Sequence, residues 1–135
     1  MRTLSFLFIE DDEIEFIKFK KAFEKLGFKH HITLAKNGEE ALQILNNTDN
    51  LPHLIILDLN MPKMDGLEFL RILKQNEYLK YIPAVIITTS KNNEDILATY
   101  NLGIAGYIIK PLSYNDYIKK IECLVHYWSI NEMTV

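Results

Sequence analysis

Three kinds of side chain recur where apolar runs stop, and together they could do chemistry. Glu10, Asp11 and Asp12 close the run from Leu4 to Ile9, and Asp58 closes Leu54 to Leu57. Thr88 and Thr89 close the run that starts at Val85, and Lys110 closes Ile104 to Ile109. Gathered in one place, they would form a pocket of carboxylates with a hydroxyl and an ammonium. Two carboxylates about 4 Å apart repel by roughly 4 kcal/mol at an effective dielectric near 20. A third raises their pKa values further unless a cation intervenes. Mg²⁺ suits such a pocket, because it accepts one or two carboxylates, keeps waters and completes its shell with phosphate oxygen. The backbone carbonyl of Asn60, just beyond Asp58, is a further oxygen donor. No His/Cys spacing points to zinc.

In that setting Asp58 can act as a nucleophile and form an aspartyl phosphate. The phosphoryl group spreads charge over three oxygens. Mg²⁺ can take one, Lys110 another, and the Thr88 hydroxyl or a backbone N–H the third. The same residues also fit an ordinary acidic loop rim with a surface lysine. What separates the two readings is whether the strand ends meet.

The elements that would bring them together follow from two alternating periods. Short apolar runs over Leu4–Ile9, His31–Ala35, Leu54–Leu57, Val85–Thr89 and Ile104–Ile109 read as strands. Between them lie segments with apolar residues at helical spacing. The first runs from Asp12 to Leu26 through Ile14, Ile17, Phe19, Ala22 and Phe23, with Gly27 as its stop. The second follows Asn37 and uses Ala41, Leu42 and Leu45; the third uses Leu67, Leu70, Ile72 and Leu73. The fourth spans Asn93–Leu102 before Gly103, and the fifth Tyr114–Trp128, with Ile118, Ile121, Leu124 and Val125. Five strands alternate with five helices, and several strands are almost wholly apolar, as strands covered on both faces are. Right-handed crossovers then give a doubly wound α/β layer with a parallel sheet. Ligands in such a sheet bind beyond the carboxyl ends of its strands, where the polar residues above would lie.

Length and composition limit the alternatives. The 135 residues suit one domain, 1–135, and no repeat, low-complexity tract, linker or output domain is visible. Fifteen Lys and Arg against eighteen Asp and Glu give a net charge of -3, which disfavours a general nucleic-acid groove. The single Cys123 rules out an intramolecular disulfide and a Cys-rich zinc site, and its apolar helical run predicts a buried thiol. The N-terminal apolar stretch is too short for a signal peptide and meets acid, and no 18-residue apolar run suggests a membrane span. A soluble, cytoplasmic protein that contacts neither membrane nor nucleic acid is expected. His30, His31, His53 and His126 show no ligand spacing, and His53 is expected on the rim opposite the site. Gly106, inside a strand, suggests close backbone packing. Asp12 reads as capping or starting the first helix, and Asp65 as a helix N-cap or a turn former outside the site.

Four stretches in order, FLFIEDD, PHLIILDLNMPKMDG, IPAVIITTS and GYIIKP, resemble the CheY-like receiver domain of two-component response regulators over essentially the whole chain. LDLNMPKMDG, LKYIPAVIITTS and a last helix running into Tyr127-Trp128 are most similar to small stand-alone receivers that partner phytochrome-like histidine kinases. The resemblance implies a flavodoxin-like sheet in the order 2-1-3-4-5. It implies that Asp58 is the phosphoacceptor, that Asp11 holds Mg²⁺ directly with Glu10 acting through water, and that Asn60 adds its carbonyl. Thr88 becomes the switch hydroxyl, Lys110 the phosphate-binding lysine and Tyr107 the aromatic switch, with Pro111 after a cis peptide bond. Pro62, Gly66 and Pro111 shape the loops. The acidic pair is Glu-Asp in place of the commoner Asp-Asp, which keeps the charge.

The implied activity is that of a phosphoprotein in a phosphorelay. A sensor histidine kinase donates phosphate, and the receiver signals by protein contacts without being a metabolic enzyme. The face of the fourth helix, fifth strand and fifth helix is expected to serve a homodimer or a downstream protein. The first helix, through Ile14, Ile17 and Lys18, is expected to serve the kinase. Two alternatives stay open. One is a receiver-like module that binds partners without phosphorylation. The other is a Mg²⁺-dependent aspartate-nucleophile phosphohydrolase, a class whose pattern has a second Asp where this chain has Asn60, and which needs a general acid not seen here.

Overall fold

The structure, a computed structural model, describes residues 3–61 and 63–134. Pro62 lies outside the described residues, and with it the loop-shaping role expected of it. The elements alternate as β1 (Ser5–Ile9), α1 (Glu13–Leu26), β2 (His31–Ala35), α2 (Gly38–Asn46), β3 (Leu54–Leu57), α3 (Gly66–Gln75), β4 (Ala84–Thr88), α4 (Asn93–Asn101), β5 (Gly106–Ile109) and α5 (Tyr114–Ser129). All strand pairings are parallel, and the sheet order is β2-β1-β3-β4-β5. This is the doubly wound fold and strand order expected from the sequence.

The helix starts are set by short polar side chains that satisfy otherwise unpaired N–H groups. Asp12 accepts from the Ile14 N–H, Asn37 from Glu40, Asp65 from Glu68 and Asn92 from Glu94. Gly27 ends α1 in the left-handed region at φ 73°, a conformation that favours a residue without Cβ.

Alternation along the strands sends neighbouring side chains to opposite faces. Phe6 and Phe8 of β1, Leu54 and Ile56 of β3, and Val85 and Ile87 of β4 pack with Phe19, Ala22 and Phe23 of α1 and with Ile118, Ile121 and Val125 of α5. Leu7, Ile9, Ile55, Leu57 and Ile86 face the other way, against Leu45 of α2 and Phe69, Leu70 and Leu73 of α3. Each fully buried side chain of this size stabilises the fold by about 1.5–3 kcal/mol. Phe8 stacks on Phe19 with centroids 4.3 Å apart, which fixes α1 against β1.

Ile14 and Ile17 of α1 and Ile72 of α3 keep the helical spacing and are exposed, Ile14 and Ile17 on the helix expected to serve the kinase. Three sequence expectations are corrected. Cys123 is also exposed, because the buried face of α5 runs through Tyr117, Ile118, Ile121, Leu124 and Val125 and leaves residue 123 on the outside. Gly106 is not crowded, since a Cβ there would meet Val85 at an ordinary 3.8 Å. No described peptide bond is cis, so the Lys110–Pro111 bond is trans, the form that X–Pro bonds favour by about 0.5–1 kcal/mol.

Candidate functional site

The sheet ladder continues past the ends of its strands and thereby fixes the site. The N–H of Glu10 donates to the Ala35 carbonyl at 3.0 Å, that of Asp58 to Ile9 at 3.3 Å and that of Lys110 to Thr88 at 2.8 Å. Three residues distant in sequence are thus placed by backbone bonds on one edge. Gly66 closes the loop beneath them. A Cβ there would lie 2.8 Å from the Leu59 Cα and 2.9 Å from the Asp58 carbonyl oxygen, so only a glycine lets α3 begin against this backbone.

Lys110 organises the charges. Its Nζ donates to Asp58 Oδ2 at 3.1 Å and to Glu10 Oε2 at 3.3 Å, and it forms an ion pair with Glu15 Oε2 at 3.6 Å. Burial lowers the Lys110 pKa, but the Asp58 and Glu10 carboxylates outweigh burial and leave it above its ordinary value. Glu10 is 3% exposed. Burial pushes its carboxyl from 4.5 up to about 7, opposed by Lys110 and reinforced by Asp58. Its Oε1 accepts from the Asp12 N–H at 3.2 Å.

The other expected residues take different places. Asp58 Oδ1 accepts from the Asn60 N–H at 3.2 Å, which folds the Asn60 backbone back toward the carboxylate. Asp11 is exposed beside Glu10. Among the described residues no three His, Cys, Asp or Glu side chains gather as a ready-made metal cluster. The donors at hand (the carboxylates of Glu10, Asp58 and Asp11 and the Asn60 carbonyl) are all oxygen, the chemistry that Mg²⁺ prefers. Thr88 is fully buried, and its Oγ1 accepts a long bond from the Ser90 N–H at 3.4 Å. Tyr107 is half-buried, and its hydroxyl donates to the Ser90 carbonyl at 2.9 Å. Thr89 is exposed just past β4. His53 lies at the opposite end of the sheet, where its Nδ1 accepts from the Ser5 N–H.

Comparison with known proteins matches this arrangement to one family. The profile of the response regulator receiver domain covers residues 6–122. The chain belongs to the response regulator receiver family. It is 36% identical over 126 residues to the probable methanogenesis regulatory protein FilR2 of Methanothrix harundinacea, covering 90% of this chain and 81% of that one. It is 32% identical to the response regulator Rcp1 of Synechocystis, covering 90% and 86%. Among solved structures, the phosphorylated cyanobacterial phytochrome response regulator RcpA superposes with a TM-score of 0.92 at 28% identity, over 99% of this chain and all of that one. The Mn²⁺-bound form of Rcp1 gives 0.88 at 30% identity, over 98% and 99%. This receiver is therefore similar in full extent to small response regulators, phytochrome response regulators among them.

Two residues at the receiver's site escape the sequence reading. Glu15 reaches Lys110 from the first turn of α1, but an acid there is ordinary near a helix N-terminus and carries no signal of its own. Ser90 holds Tyr107 through a backbone carbonyl, and a carbonyl contact leaves no trace in residue type.

Proposed function

We propose that this receiver accepts a phosphoryl group on Asp58 from the phosphohistidine of a sensor histidine kinase, with Mg²⁺ bound, and signals through an altered surface. The observation that supports this best is the Lys110 ammonium set between Asp58 and Glu10 at 3.1 and 3.3 Å, from strand ends 52 and 100 residues away. An Asp58 oxygen bonds to phosphorus while the bond from phosphorus to the kinase imidazole breaks, and the imidazole keeps the electron pair. Lys110 already touches Asp58 and holds one phosphoryl oxygen. Asp11, Asp58 and the Asn60 carbonyl would hold the metal, with Glu10 acting through water. When bound, Mg²⁺ supplies positive charge to the carboxylates and to a phosphoryl oxygen.

The Thr88 hydroxyl turns from the Ser90 N–H toward the phosphoryl group, and Tyr107 leaves the Ser90 carbonyl for the space that opens. Pro111 shapes the turn after Lys110. A switch of this kind needs only a few kcal/mol from the new phosphate contacts. The exposed Ile14, Ile17 and Lys18 of α1 flank the site and suit a kinase, including one of the phytochrome-like type. The α4-β5-α5 face exposes Leu97, Tyr100 and Tyr127 and contains a cleft of about 590 Å³ lined by Tyr107, Ile108, Cys123 and Leu124, suited to a second copy or a downstream protein. Among the described residues no helix is long and apolar enough to cross a membrane. The reading is of a cytoplasmic signalling receiver that uses residues 1–135 as one domain and catalyses only its own modification.

Intact-mass measurement after incubation with Mg²⁺ and acetyl phosphate tests the proposal. One added phosphate in the wild type and none in Asp58→Ala is expected. A folded wild type that stays unmodified while binding its partners would replace this reading with a passive binding module. Continuous release of phosphate from small monoesters would replace it with a phosphohydrolase.

A further inference from the structure

Lys110 has a third anionic neighbour that phosphoryl chemistry does not call for. Glu15 divides its carboxylate between two ammonium groups: Oε2 lies 3.6 Å from Lys110 Nζ and Oε1 lies 3.4 Å from Lys18 Nζ. The two lysines differ in setting, with the Lys110 side chain 11% exposed and that of Lys18 48%. Glu15 and both lysines line a cleft of about 220 Å³ with Thr89, Leu112 and Tyr114, which opens the Lys110 side of the site to solvent. The Tyr114 hydroxyl donates to the Lys18 carbonyl at 3.3 Å and ties the cleft's two walls, α1 and α5, together.

Each contact of Lys110 has a different prospect once phosphate arrives. The contact to Asp58 becomes a contact to its phosphoryl oxygens. Glu10 is buried and fixed by the Asp12 N–H. The Glu15 contact is the longest and lies on the solvent side, so it is the one that can be given up at least cost. Lys18 makes that release easy, since a carboxylate that loses Lys110 keeps a second cation and is not left unpaired.

We propose that Glu15 is a positioning residue that holds the Lys110 ammonium in the unphosphorylated receiver and hands it over to the incoming phosphoryl oxygens, with Lys18 taking up the released carboxylate. Glu15 thus sets how much donor is needed to load Asp58. The effect on loading rests on the Asp58 reading above, whereas the restraint on Lys110 does not.

The test uses the full chain with Mg²⁺ and acetyl phosphate. In this transfer the bond between phosphorus and the acetyl oxygen breaks, acetate leaves with the electron pair, and an Asp58 oxygen bonds to phosphorus. Initial rates are followed by intact mass across a range of donor concentrations. Glu15→Gln should lower the half-saturating donor concentration about two- to fivefold, the span expected of a weak, 3.6 Å ion pair on a solvent-open cleft, and leave the maximal rate nearly unchanged. Lys18→Ala should raise that concentration, and Glu15→Asp should restore near-wild-type behaviour. In the double variant the Lys18→Ala effect should vanish, because Lys18 acts through Glu15. An unchanged or raised half-saturation in Glu15→Gln overturns the proposal, and so does a Lys18→Ala effect that persists in the double variant. Carbon relaxation at Lys110 Cε decides the restraint without any phosphorylation. Its order parameter should fall in Glu15→Gln, and an unchanged value refutes the proposal even if the wild type takes no phosphate. A wild type that takes no phosphate while the order parameter does fall rejects the Asp58 reading and keeps the restraint.

Discussion

Glu10→Gln should make the metal-free protein more stable at pH 8. The Glu10 carboxyl is buried and is pushed from 4.5 to about 7. Between those values the folded chain holds a proton that the unfolded chain has released, so stability is full below about pH 4.5 and falls as pH rises to 7. At about 1.4 kcal/mol per pH unit, the ionised carboxylate costs the fold on the order of 3 kcal/mol above neutrality. Gln keeps the oxygen that accepts from the Asp12 N–H and never ionises. It gives up the attraction to Lys110, which is already included in the net shift. We therefore expect a gain of about 1–3 kcal/mol at pH 8, or roughly 3–9 °C in Tm for a chain of this size. Thermal and urea unfolding of both proteins from pH 5 to 8.5 in a chelating buffer measure it. The gap should be small at pH 5, widen up to pH 7 and stay flat above. A gap that does not change with pH, or a variant less stable than wild type at pH 8, refutes the assignment of buried charge to Glu10. Adding Mg²⁺ should stabilise the wild type more than the variant and narrow the gap.

Gly66→Ala should destabilise the fold by about 1–3 kcal/mol and slow the loading of Asp58, since the added Cβ meets the Asp58 and Leu59 backbone below 3.0 Å; urea unfolding and acetyl phosphate loading measure the two effects, and a neutral substitution would contradict the close approach of α3. Thr88→Ala should cost only about 1–2 kcal/mol of stability, because the lost Ser90 contact is long. It should nevertheless abolish the displacement of Tyr107 when beryllofluoride is bound at Asp58, read from the Tyr107 ring resonances, and a full displacement in the variant would end the hydroxyl's role in switching.

The sequence made the sheet legible because strands covered on both faces are written as uninterrupted apolar runs, and their parallel alternation with helices fixes which ends meet. Glu10, Asp58, Thr88 and Lys110 therefore fall on one edge by sequence alone. The misreadings have a common physical origin. Spacing along the chain tells which residues share an element, but not which of them another element covers. Cys123 sits in an apolar stretch of α5 yet falls outside its buried face and is exposed, because a helix turns about 100° per residue. Gly106 looked like a packing constraint, but whether a Cβ fits depends on how closely β4 approaches, which spacing along the chain does not encode. Glu15 and the Ser90 carbonyl depend on side-chain reach and loop path, which appear only in three dimensions.

The sheet acts as a septum between two hydrophobic compartments. The phenylalanine-rich one lies under α1 and α5, and the leucine-rich one lies under α2 and α3 and includes part of Tyr107. Volume changes in one compartment are transmitted poorly through a hydrogen-bonded backbone layer. Core substitutions on opposite sides should therefore sum their stability costs, while pairs within a compartment should not. Tyr107 packs on the leucine side, so if it switches as proposed, variation beneath α2 and α3 would retune the signalling equilibrium while the phenylalanine side holds α1 at its post beside the acidic pocket.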